Sequence, residues 1–410
     1  MKRFVLTMLA AIWLASSGAS AADEAASPDS TIRSAITSGE ASVAVRARYE
    51  HVGQDAFAAD ADALTTRLRL NYRSAPWKQL QTFAEFDYVF HLLDDFNSGG
   101  GSSPGKTQYP VIADPKGADL NQLYLDYSFN DKSKLRLGRQ RILLDNQRFV
   151  GGVGWRQNEQ TYDGLTLSST ALSDTTLSYS YLSHVRRIFG DDVSAGSNAV
   201  DAHLINAKVV FNEQWSATPY FYLIDNDDVA SFSTQTLGAS VKGTLKTGDG
   251  TLGVYAEFAT QDDAGNNPVN YDAQYYHLGA MWSPNEYLSL GFDFESLGGS
   301  SAPGMAFRTP LATLHAFQGW ADMFLATPDA GVDDLFATVK YKAGRWYLTG
   351  IYHDFSAETG NVDYGTEFDM SAATRINDNF GILFKGAFFS SDTASMTDTR
   401  KFWIVFTADY

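Results

Sequence analysis

Arginine recurs at every second position in three short stretches of the chain. Arg46-Ala47-Arg48, Arg67-Leu68-Arg69 and Arg139-Gln140-Arg141 each hold two guanidinium groups two residues apart, and Arg136 precedes the third pair. In an extended chain residues i and i+2 share a face, so each pair offers two cations to one side. A guanidinium stays charged and grips a carboxylate through two parallel N–H donors. A ladder of such groups gives a moving carboxylate-bearing chain several equivalent stops without permanent capture. The same residues have a plainer use: charges inside a protein wall pair with one another and stiffen it. Arg67 or Arg69 beside Glu85 or Asp87 would do that, and the sequence leaves both uses open.

Other chemistry is missing. The 410 residues contain no cysteine, which excludes disulfides, thiolate metal sites and cysteine nucleophiles. The seven histidines show no H-E-x-x-H and no metal spacing, and there is no G-x-S-x-G and no P-loop. No catalytic residue, metal or cofactor is expected, and no enzyme. A net charge of −17 argues against nucleic acid as a partner.

The elements that must position the arginines are strands. The chain opens with Lys2 and Arg3, the apolar run 4–14, and Ala19-Ser20-Ala21, the pattern of a secretory signal peptide over residues 1–21. Residues 22–41 then read as a periplasmic N-terminal segment, and 42–410 as the folded domain. Segments of 9–12 residues alternate apolar and polar, the dyad signal of barrel strands. They lie at 42–50, 64–73, 79–90, 120–129, 133–142, 160–169, 175–184, 201–211, 215–225, 235–246, 251–260, 272–282, 286–296, 332–342, 345–355, 365–375, 379–390 and 400–410. Short connections alternate with long ones, among them 91–119, 143–159, 185–200, 261–271, 297–331 and 391–399. Loops sorted by parity predict a single antiparallel transmembrane β-barrel of about 18 strands (16–18), all-β, with short periplasmic turns and long extracellular loops. The last strand puts Phe402, Ile404, Phe406, Ala408 and Tyr410 on one face, and its terminal aromatic is similar to the signal read by the outer-membrane assembly machinery. The aromatic content of 14% supplies interfacial girdles.

In such a barrel the apolar set of each strand faces lipid and the other set the lumen. Parity points Arg46, Arg48, Arg67, Arg69, Arg73, Lys134 and Arg136 inward, with Lys208, Lys242, Lys340 and Lys385. Arg139 and Arg141 have the opposite parity: either they lie beyond the apolar belt, or Gly138 marks a bulge that turns them in. Inward acids are Glu85, Asp87, Asp126, Glu257, Asp293 and Glu295, read together as an acidic wall opposing the arginines. Loop 91–119 carries the flexible Asn97–Gly105 stretch and could fold into the mouth. In 297–331, apolar Leu311, Leu314, Phe317, Met323 and Phe324 suggest a short helix, and the segment is expected to fold into the lumen as a constriction. The acidic pairs at 94–95, 191–192, 227–228 and 262–263 read as solvated loop tips or as divalent-cation sites.

Three stretches resemble the alginate export family of outer-membrane proteins. They are Leu137-Gly138-Arg139-Gln140 continuing through Asp145–Gly151 to Trp155-Arg156; Thr161-Tyr162-Asp163-Gly164; and Thr309–Asp322. The resemblance implies a monomeric 18-strand barrel and passage of a polyuronate through an arginine-rich pore. It adds Arg139, Arg148 and Arg156 to the substrate path, and places His315, Trp320 and Asp322 in the constriction loop. One departure is visible: the secreting member's long periplasmic gate loop has no counterpart among these short turns. The expectation is an outer-membrane channel passing anionic, alginate-like saccharide by passive diffusion, in contact with outer-membrane lipid and lipopolysaccharide. The alternatives are a porin taking up other small solutes, and a plugged barrel acting as a surface receptor or adhesin.

Overall fold

The computed structural model describes residues 31–410; the expected signal peptide lies outside them. A short helix, α1 (Ile32–Thr37), packs beneath the first periplasmic turn, where Ala75 N donates to Ala35 O at 2.9 Å. Eighteen strands follow: β1 (Glu40–Gln54), β2 (Ala61–Arg73), β3 (Leu80–Asp95), β4 (Gly117–Asn130), β5 (Ser133–Gln140), β6 (Thr161–Ser169), β7 (Thr175–Arg186), β8 (Ser197–Val210), β9 (Trp215–Asn226), β10 (Thr234–Thr247), β11 (Gly250–Asp263), β12 (Asp272–Ser283), β13 (Leu288–Leu297), β14 (Val332–Ala343), β15 (Trp346–Ser356), β16 (Asp363–Arg375), β17 (Phe380–Ser391) and β18 (Thr399–Asp409). Each pairs antiparallel with its sequence neighbour, and β1 pairs with both β2 and β18, so the sheet closes on itself and has no edge. Tyr410 and Val43 exchange backbone hydrogen bonds of 2.8 Å at the seam.

Alternation explains why these segments face as they do. Leu137 is 57% exposed, and Leu123, Leu125, Phe258, Phe292, Phe368, Phe384, Phe402 and Ile404 also lie bare on the outer surface. That much exposed apolar surface is stable only against lipid, whose tails take the place of a second protein layer. Exposed Tyr127, Trp282, Tyr287, Tyr341 and Tyr410 sit near the periplasmic turns, at the level where an amphipathic ring bridges hydrocarbon and water.

The buried core lies inside the barrel. An 18-strand cylinder is too wide for wall side chains to fill, and loops 141–160 and 298–331 fold in to fill it. Phe149, Val150, Phe307, Leu311 and Phe324 from these loops pack on Tyr162, Tyr220, Tyr222, Tyr275 and Phe355 of the wall. The helix expected in 297–331 is absent. Only one 3-10 turn forms, Leu314–Ala316, before left-handed backbone at Gln318 and Gly319 ends it.

Candidate functional site

The family-like stretches converge on one another. Val150 and Leu311 form a parallel bridge. Gly151 N donates to Leu311 O at 2.8 Å, Thr313 N to Gln147 O at 3.0 Å, and Tyr162 Oη to Gly151 O at 2.7 Å. The indole of Trp155 stacks on His315 at 5.0 Å with planes 9° apart. The two loops therefore form one plug. Of the seven described non-glycine residues with left-handed φ, five lie in it: Asp145, Gln147, Val153, Gln318 and Asp322. Such backbone costs on the order of 1–3 kcal/mol per residue and persists only where surroundings enforce it.

One side of the plug meets the arginines. Arg46 donates to Gln157 Oε1 at 3.0 Å, to Gly154 O at 2.8 Å and to Arg156 O. Arg48 binds Trp155 O and the Asp114 carboxylate, with Glu50 at 3.6 Å. Arg67 donates to Gln157 O at 3.2 Å. Arg69 holds Asp87 through two bonds of 2.7 and 2.6 Å and Glu159 through one of 3.1 Å. Arg141, just past the end of β5, turns inward to Glu159 at 2.6 Å and Glu85 at 2.9 Å. Arg156 joins Glu50 at 3.1 Å to Asp322 at 3.1 Å. On Glu159, burial alone would push the carboxyl up, but Arg69, Arg141 and Arg67 hold it down at about 2.

The constriction residues meet here too. The His315 ring is neutral. Its Nδ1–H donates to Asp322 at 2.7 Å, and its Nε2 accepts from the Lys385 ammonium at 2.7 Å. Burial lowers this imidazole to about 3, with Lys385 and Arg156 helping against Asp322. Asp322 also takes Lys401 at 2.7 Å. Burial opposes its charge, yet these partners and Arg156 hold it well below the usual carboxylate range. Lys385 lies 3.7 Å from the Trp320 ring centre and 4.5 Å from that of Trp155. Trp320 N and Ala321 N donate to Asp369 and Glu367 of β16 at 3.1 and 2.7 Å.

Several expected positions need correction. Glu85, Asp87 and Asp126 do not oppose the arginines; they stand on β3 and β4 beside them. Asp126 is bound bidentately by Arg136 at 2.7 and 2.9 Å, which leaves Arg136 capped near the periplasmic end. Arg139 is not in the lumen path. β4 and β5 pair without a break at Gly138, so Arg139 keeps the outward side it shares with Leu137, at the outer rim, bound to Asp163 at 2.8 Å. Arg148 sits across the lumen from the ladder, its Nε 2.7 Å from Glu295. The acids across from the ladder, Glu257, Asp293 and Glu295, are also engaged. Tyr220 donates to Glu257 at 2.8 Å, His277 lies 3.2 Å from Asp293, and Tyr275 donates to Glu295 at 2.8 Å. Loop 91–119 does fold inward: Phe96 and Ile112 pack on Val52, Ala61 and Ala63, and Asp114 takes Arg48 and the Gln157 N–H at 2.8 Å.

Sequence reasoning missed Asp114, Glu159, Glu50, Asp334, Glu367 and Asp369. Glu50 shares the parity of Arg48, Asp334 (2.9 Å from His353) alternates with lipid-facing Leu335, and Glu367 and Asp369 with lipid-facing Phe368 and Met370, so parity could have found those four. Asp114 and Glu159 lie in loops, where no period exists to read.

Comparison with known proteins bears on this arrangement. The profile of the alginate export family matches residues 40–279, more than half of the chain. The chain belongs to the alginate export family. The barrel also resembles solved outer-membrane channels: OpdO of Pseudomonas aeruginosa (TM-score 0.70, 13% identity, 92% of this chain and 98% of that one), OccAB4 of Acinetobacter baumannii (0.71, 14%, 91% and 98%) and OpdK of Pseudomonas aeruginosa crystallised with vanillate (0.68, 13%, 90% and 98%). At such identities the likeness is one of fold. No curated protein matches. This alginate export family member is an outer-membrane barrel of the channel type, and family and fold are those of channels rather than enzymes.

Proposed function

We propose that this family member passes carboxylate-bearing saccharides of the alginate type, as short oligomers, passively down their gradient. Arg46 carries the reading. Among the described residues it has no carboxylate within 4.0 Å, and it lines a cavity of about 450 Å³ with Arg48, Trp155 and Tyr347. The other lumen arginines are charge-balanced, so this cavity is where the wall has positive charge to offer an anion. The two crossing loops favour an oligomer over a polymer. The vanillate crystallised with OpdK is a small carboxylate, which agrees with a carboxylate path in this barrel type.

Planar-bilayer recording tests the proposal. The wild-type barrel should pass current with anion preference, and Arg46→Ala should shift reversal potential toward cations. Selectivity unchanged in that variant would leave the arginines as wall braces only. A second reading, a plugged surface receptor, is favoured by the apolar core that the two loops build inside the barrel. Absence of current at every voltage would establish it.

A further inference from the structure

The segment 154–159 lies along the arginine ladder in an unusual way. Four consecutive backbone carbonyls are taken by three arginines: Gly154 O and Arg156 O by Arg46, Trp155 O by Arg48, and Gln157 O by Arg67. Two residues on, the Glu159 carboxylate sits against Arg141 at 2.6 Å, Arg69 at 3.1 Å and Arg67 at 3.6 Å. Gln157 and Glu159 point to the wall, while Arg156, just ahead of them, turns to Glu50 and Asp322. The ladder is thus filled by a turning strip of oxygen acceptors, begun where Arg156 N donates to Val153 O at 3.1 Å and ended by one carboxylate.

We infer that residues 154–159 are a tethered surrogate for the transported oligouronate, with the Glu159 carboxylate seated where a uronate carboxylate binds. The inference rests on the uronate-channel reading above. Three features support it. The strip comes from a loop, while Glu85 and Asp87, the other carboxylates on these arginines, come from the wall. Arg67, Arg69 and Arg141 are thereby neutralised by two wall acids and one loop acid, so withdrawing the loop leaves a cradle with one net positive charge, next to Arg46. Gly152 and the left-handed Val153 precede the strip, Gly154 begins it, and together they form a joint on which it can swing. An incoming carboxylate would replace Glu159 with the same partners and the same charge, so the exchange leaves Arg67, Arg69 and Arg141 charge-balanced.

A tethered competitor presents itself at millimolar effective concentration or more. For a trimer of galacturonate with sub-millimolar intrinsic affinity, removing it tightens binding roughly tenfold. The experiment compares blockade of single-channel current by this trimer in full-length wild-type and Glu159→Gln barrels. The expected result is a dissociation constant lowered about tenfold, with blockade by a cationic oligoamine no tighter. Wild type blocked by the trimer and Glu159→Gln blocked equally or more weakly would overturn the surrogate and leave the channel reading standing. No current, or no trimer blockade, in either protein would remove the channel reading, and the surrogate with it. If Glu159→Gln does not assemble, Glu159→Asp keeps the charge and retracts it by one methylene. A smaller gain in affinity is then expected, and none overturns the inference.

Discussion

Replacing Asp322 by Asn should unseat the 298–331 loop without harming the barrel. The Asp322 side chain is buried and accepts from His315 at 2.7 Å, Lys401 at 2.7 Å and Arg156 at 3.1 Å. Asparagine keeps the shape, removes the charge, and turns an N–H₂ toward two cations. Breaking a buried pair from one side costs about 3–5 kcal/mol, because the abandoned charges stay buried. That converts to roughly two to four decades in the seated-to-unseated ratio. Seating is not lost outright. Leu311, Phe307 and Phe324 remain packed, each contributing about 1.5–3 kcal/mol, and the Trp320 and Ala321 amides still reach Asp369 and Glu367. The expected phenotype is a channel whose rare large openings become frequent, with faster tryptic cleavage at Arg308 in the same loop. The sheet's own ladder is untouched, so resistance to SDS without heating should match wild type. Opening frequency and Arg308 cleavage both unchanged would show that apolar packing alone seats the loop.

Three further outcomes follow from the same contacts. His315 is held neutral when seated, at about 3, but takes a proton near its ordinary value of about 6.5 when released. Its contribution to seating is therefore complete above pH 6.5 and declines as pH falls, by about 1.4 kcal/mol per unit. Opening frequency should rise up to tenfold per unit between about pH 6.5 and 5, and His315→Gln should flatten that dependence. Gly164→Ala would set a Cβ 2.0 Å from Tyr181 O, and Gly138→Ala, at φ +127°, one 2.3 Å from Leu123 O. Both collisions are with backbone, so each variant should lose the heat-modifiable band that marks a folded barrel, whereas Gly350→Ala, with only Asp369 O at 4.0 Å, should keep it.

The strands were legible because lipid and lumen impose a two-residue period on every crossing. All 18 predicted segments are strands, and the errors lie at their outer ends. β1 runs on to Gln54 and β3 to Asp95, above the lipid, where polar residues on both faces erase the alternation. Parity also placed Arg46, Arg48, Arg67 and Arg69 correctly. It failed where protein replaces lipid or water as the neighbour. Tyr220, Tyr222 and Ile224 of β9 face the lumen although they are apolar, because the plug packs on them. The counter-ions Asp114 and Glu159 were illegible because loops have no register. That arginines this deeply enclosed need partners was a physical certainty; which acids supply them depends on how the loops after β3 and β5 settle against the wall and each other. The spacing of Leu311 and Leu314 looked helical, but the local side-chain bonds of Thr313 to Gln147 and Val153 bind the chain to the other loop instead.

The plug has two unlike halves, and their chemistry sets which one can move. Residues 143–151 are held largely by apolar and aromatic contacts and by the Val150–Leu311 bridge, with the Arg148–Glu295 pair beside them. No transported polar solute can substitute for those contacts, so undocking this half exposes apolar surface to a wet lumen. Residues 154–159 are held chiefly by arginine–carbonyl and arginine–carboxylate bonds, which a uronate reproduces in kind, beside the stacking of Trp155 on His315 and the pairing of Arg156 with Glu50 and Asp322. The left-handed Val153 stands at the boundary between the halves. Amide hydrogen exchange should follow this division. On adding an oligouronate, protection of Gly151, whose N–H is bound to Leu311 O, should hold. That of Gln157, whose N–H is bound to Asp114, should fall. Loss of protection at both amides would mean that the plug leaves as one body, and that the aromatic half is a lid rather than an anchor.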